Sequence, residues 1–143
     1  MLFGIPSLLS PEFLSVLRSM GHGDEIALVD GNYPAAEHAR RLIRADGHDV
    51  ISVLDAVLSV MPIDDFVPEA MFRAVPAADT ARIDPVHADM IAVVTKRVPG
   101  KALIGLEGSD FYPRVKAAYA VVATSEMRLH GNIILRKGII RLS

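Results

Sequence analysis

Six residues of this chain have types and positions suited to proton transfer: His22, Asp30, Asp64, Glu107, Tyr112 and His130. His22 stands between Gly21 and Gly23, which take backbone angles that other residues adopt only at a cost, so its imidazole can be aimed into a cleft. Asp30 opens the turn Asp30-Gly31-Asn32 that ends the apolar run Ile26–Val29. Histidine titrates near neutral pH, and a carboxylate or tyrosine can complete an acid–base pair. Each residue also has a plain reading. Gly21 can be a helix cap, His22 loop filler, Asp30 and Asn132 turn residues, Glu107 a strand-end acid and Tyr112 a packed helix residue. The chain has no cysteine, which excludes thiolate catalysis and disulfides. It carries neither phosphate-binding glycine pattern, no histidine pair at zinc spacing and no serine on a nucleophile elbow. No metal and no cofactor are expected, and His38, His48 and His87 read as surface or helix-face residues.

The elements that must position these groups alternate. Ser10-Pro11-Glu12 reads as a capped helix start, and Phe13, Leu14, Leu17 and Met20 form one apolar face that ends at Gly21. Before it, residues 1–9 read as an extended lead-in. Strands are predicted at Ile26–Val29, Arg41–Ala45, Met71–Val75, Ala102–Leu106, Tyr119–Thr124, Asn132–Leu135 and Ile139–Leu142. Helices are predicted in the short stretch 35–40, over Val50–Met61, from Pro85 to Pro99-Gly100, and from Ser109 or Asp110 through Lys116. This order argues α/β: a three-layer α/β/α sandwich with a mixed, mostly parallel central sheet, in one domain over residues 1–143.

Hydrophobic residues make up 51% of the 143 and charged residues 22%, with a mean hydropathy of +0.34. That is apolar enough to expect surface buried against further copies of the chain. A formal net charge of -2 with scattered Lys and Arg argues against nucleic acid as a partner. No apolar run reaches membrane-span length, and Glu12 and Arg18 interrupt the first twenty residues, so a cytoplasmic protein is expected.

Met20-Gly21-His22-Gly23-Asp24-Glu25-Ile26, with Asp30 and Asn32 downstream, resembles the signature of the D-ribose pyranase / L-fucose mutarotase family. The likeness continues in Arg44-Ala45-Asp46-Gly47, Pro62-Ile63-Asp64, Leu106-Glu107, Phe111-Tyr112, Ala120–Thr124 and Gly131–Gly138, and is poorest between residues 77 and 100. It is closer to the fucose branch. The resemblance implies an isomerase that interconverts anomers or ring forms of a free monosaccharide, fucose-like or ribose-like, without a cofactor. It also implies homo-oligomeric rings, decameric or smaller, with each site completed by a neighbouring subunit. By the same resemblance His22 is the proton donor and Tyr112 a second catalytic group, while Asp30, Asp64 and Asn132 are sugar contacts. His130 stands where the family has tyrosine, Phe72 where it has methionine, and both are expected to hold the sugar. Gly108 replaces an arginine usual in the fucose branch. His130 is expected to line one cavity with His22 and Asp30. The alternative is a non-catalytic sugar-binding protein on the same scaffold, linked to sugar uptake or utilisation, which Gly108 and His130 favour.

Overall fold

A computed structural model describes residues 1–76 and 79–143. The order is α1 (Pro11–Ser19), β1 (Glu25–Val29), α2 (Ala35–His38), β2 (Leu42–Ala45), α3 (Val50–Leu58), β3 (Met71–Val75), α4 (Pro85–Arg97), β4 (Ile104–Glu107), α5 (Gly108–Ala117), β5 (Ala120–Thr124) and β6 (Ile133–Arg136). Local chemistry sets several boundaries. The Ser10 hydroxyl accepts the Phe13 N–H at 3.2 Å to start α1, and the Asp49 carboxylate accepts the Ser52 N–H at 2.7 Å to start α3, each satisfying an otherwise orphaned helix donor.

The six strands form one sheet in the order β2-β5-β1-β6-β3-β4. β1, β2 and β5 pair in parallel, as do β3 and β4, and β6 runs antiparallel between β1 and β3. Alternate residues of each strand face opposite sides. Ile26, Leu28, Val122, Ile133 and Leu135 pack with Phe13 and Leu17 of α1, Val53, Leu54 and Val57 of α3, and Met90 of α4. Ala27, Val29, Phe72, Val121 and Ile134 pack on the other side with Ala35 of α2 and Phe111 and Val115 of α5. This is the expected three-layer sandwich with a mixed, mostly parallel sheet.

Some expectations need correction. Residues 139–142 are not a strand, because both edges of β6 are already taken by β1 and β3; Ile140 and Leu142 lie 79% and 97% exposed. Residues 1–9 fold into turns rather than an extended lead-in. α3 stops at Leu58, where Val60 and Met61 bond back to Val57 and lead into Pro62. His87, expected on the surface or on a helix face, lies on the first turn of α4 and is fully buried.

Candidate active site

The parallel strands all run one way, so the sheet has an N-terminal rim and a C-terminal rim. The chemistry-bearing residues fall into two groups, one at each.

His22 belongs to the N-terminal rim. Its loop is pinned to the end of β6: Gly23 N–H donates to Lys137 O and Lys137 N–H to Asp24 O, each at 2.9 Å. The Lys137 ammonium donates to the carbonyls of Leu17 and Met20, both at 2.6 Å, and closes the end of α1. Gly23 takes φ +89°, and a Cβ there would sit 3.1 Å from an Arg136 nitrogen; glycine meets both demands. The segment before Asp64 is bridged to the same β6 end, Ile63 opposite Lys137. Asp64 therefore meets His22: its Oδ1 accepts from His22 Nε2 at 3.0 Å and from Phe66 N–H at 3.0 Å, while Oδ2 accepts from Arg136 Nε at 2.7 Å. Burial alone would raise the Asp64 carboxyl. The Arg136, Phe66 and His22 hydrogen bonds outweigh it and hold the group well below the usual carboxylate range. A carboxylate can only accept, so Nε2 of His22 carries the proton and Nδ1 is free to take or give one. The His22 side chain is 41% exposed, with the Phe66 ring 4.8 Å away.

Asp30 and Asn132 form a corner at the C-terminal rim. Asp30 is 5% exposed and Asn132 7%. Asn132 Oδ1 accepts the Asp30 N–H at 2.8 Å, which orients the amide and leaves its nitrogen to donate elsewhere. The Asp30 carboxylate takes Asn32 N–H on one oxygen at 3.0 Å and Gly131 N–H on the other at 3.2 Å. Asp30 opens onto a hollow of about 450 Å³ with Tyr33, Arg44 and Thr124. The Tyr33 hydroxyl and His38 Nδ1 share a hydrogen bond at 2.8 Å, and burial, then Tyr112 and Asp30, push the Tyr33 phenol pKa up. Tyr112, 47% exposed on α5, lies edge-on to Tyr33 at 5.4 Å and to His38 at 5.5 Å.

Residues 3–140 match the family described as RbsD / FucU transport protein. The human fucose mutarotase is 43% identical over 98% of this chain and 95% of its own. The L-fucose mutarotase of Actinobacillus pleuropneumoniae serotype 5b is 42% identical, over 97% of each chain. The chain belongs to this family. Its fold overlays the crystal structure of the Streptococcus pneumoniae fucose mutarotase in complex with L-fucose with a TM-score of 0.89, at 40% identity, covering 98% of this chain and 100% of that one.

Within the single chain, five of the residues expected in the family's site are placed as follows. His22 and Asp30 do not share a cavity within one chain, because the whole of β1 separates them, at ~3.3 Å per residue, or roughly 15 Å. Asp64 is fully buried, where its carboxylate accepts from His22. Phe72 is 2% exposed in the core, its ring under the Arg114 guanidinium at 3.9 Å. The His130 imidazole turns to Asp84, at 3.0 Å, and lines a separate hollow with Arg82, Arg128 and Leu129. Sequence reasoning missed Arg136, Phe66, Tyr33 and His38 as companions of the site. Tyr33 carried a signal, lying three residues after Asp30 in the same turn.

Proposed function

We propose that this protein is a monosaccharide mutarotase that interconverts the anomers of L-fucose or a close analogue without a cofactor, and that it works in the cytoplasm. The observation that carries this reading is the match to proteins named fucose mutarotase at more than 40% identity along nearly the whole chain. A hemiacetal ring opens when the anomeric hydroxyl loses a proton and the ring oxygen gains one. Reclosure on the other face of the carbonyl gives the other anomer. His22 supplies the proton to the ring oxygen: Asp64 holds Nε2–H and stabilises the charged ring, so Nδ1–H faces outward as the acid. Neutral His22 recovers the proton on reclosure. Tyr112 is the second proton-transfer group: its half-exposed hydroxyl relays the anomeric proton to water on opening and returns one to the carbonyl oxygen on reclosure. Asp30 accepts sugar hydroxyls on lone pairs its backbone partners leave open, and the Asn132 amide nitrogen donates to a sugar oxygen.

The separation of His22 from Asp30 supports a shared site. In a head-to-tail ring the N-terminal rim of one subunit faces the C-terminal rim of the next, and one sugar then reaches both groups. The test mixes two inactive variants, His22→Ala and Asp30→Asn, by co-expression, and follows anomer exchange of L-fucose by saturation-transfer NMR. A shared site restores activity, because some junctions pair a native His22 with a native Asp30. A mixture as inactive as its parents would refute the shared site. Unchanged exchange in His22→Ala alone would refute the acid–base assignment.

A further inference from the structure

The fully buried imidazole of His87 has no part in the proposed chemistry. We propose that His87 is a positioning residue for the sugar-binding corner, acting through the backbone of His130; the proposal rests on the reading of Asp30 and Asn132 as sugar contacts. The tautomer follows from the neighbours. His87 Nδ1 lies 3.1 Å from the Asp84 N–H, which can only donate. The ring proton is therefore on Nε2, where it donates to the His130 carbonyl at 2.9 Å. Burial, foremost, pushes the His87 pKa down and keeps the ring in this neutral form.

That carbonyl belongs to the same planar peptide group as the Gly131 N–H, which donates to Asp30 Oδ2 at 3.2 Å. His87 grips one side of the peptide and Asp30 the other. If the plane rotates, both hydrogen bonds are lost together. A donor on the carbonyl also polarises the N–H and strengthens its bond to the carboxylate. The plane needs holding. Among the described residues His130 is the only non-glycine residue at positive φ, +61°, a conformation that persists in a residue with a Cβ when its surroundings impose it. The next residue is Asn132, whose Oδ1 takes the Asp30 N–H. One buried ring on α4 thus sets the direction of two groups that fix Asp30.

The full-length protein tests this with His87→Leu, which keeps the bulk and removes the donor, and His87→Gln, whose amide nitrogen can donate to the same carbonyl. In the folded leucine variant the Gly131 amide proton should move upfield. KM for L-fucose should rise about tenfold with kcat within about twofold, and the glutamine variant should recover both. Unchanged Gly131 shift and KM in a folded His87→Leu protein would overturn the proposal, as would a moved amide with unchanged KM. The parent provides a test that no folding defect can obscure: long-range imidazole 15N spectra at neutral pH should show His87 protonated on Nε2, and protonation on Nδ1 would overturn it. Asp30→Asn is measured alongside. If that variant keeps the parent KM, it is the reading of the corner as a sugar site that fails, and this inference falls with it.

Discussion

At the scale of single residues, the His22–Asp64 pair separates what a sequence shows from what it hides. His22 and Asp30 stood out because glycines flank one and a turn follows the other, and both ends of β1 are local features. The role of Asp64 was not legible, since its partners His22 and Arg136 lie 42 and 72 positions away and only the fold brings them together. His22→Ala should lower anomer exchange by about 10²–10⁴-fold, the usual range for a positioned acid or base. Circular dichroism should be unchanged, as the exposed ring contributes little packing. Asp64→Asn bears on stability as well as activity. The Asp64 pKa is lower folded than unfolded, so its ionised form stabilises the protein at pH values above about 4, the unfolded carboxylate range, and the contribution is lost as pH falls below that. Chemical denaturation of parent and variant should therefore differ most at neutral pH and converge in acid. A difference that stays constant down to pH 2 would contradict the ion-pair account.

Most elements were readable from period and punctuation, because α1, α4 and the six strands carry their own start and stop signals. The element that was misread shows why local signals fall short. Ile139–Leu142 has the composition of a strand, but strand formation needs an open edge nearby, and the edges of β6 are filled by β1 and β3. His87 is similar: its burial depends on a backbone carbonyl 43 positions on, which no helical pattern announces. Two substitutions test the elements. Leu54→Ala in α3, fully buried against the sheet, should cost about 2–5 kcal/mol in urea unfolding. Gly131→Ala should cost about 1–3 kcal/mol and weaken sugar binding, because its Cβ would fall 2.7 Å from Glu126 Cγ and 3.2 Å from the Arg128 carbonyl.

On the scale of the whole molecule, the apolar composition appears as exposed side chains at both rims. Phe66, Ile140 and Leu142 are 59%, 79% and 97% exposed, with Phe66 beside His22, and Met127 and Leu129 are 88% and 69% exposed near the opposite corner. Single exposed apolar residues are ordinary, but groups at two opposed rims suit contacts between copies that repeat around a ring. Light scattering at micromolar concentration should give a mass larger than a dimer, and Phe66→Asp should lower it. A monomer in the parent would remove the shared site with it.

The placement of β6 has a consequence for how the chain is made. This strand joins β2-β5-β1 to β3-β4, yet it is the last of the six to be synthesised. While a ribosome is still building residues 125–132, every other strand exists, but the sheet is in two halves with the bare inner edges of β1 and β3 exposed. The halves cannot be sealed until Ile133–Arg136 emerges, so the nascent chain keeps the inner edges of β1 and β3 bare until that strand is made.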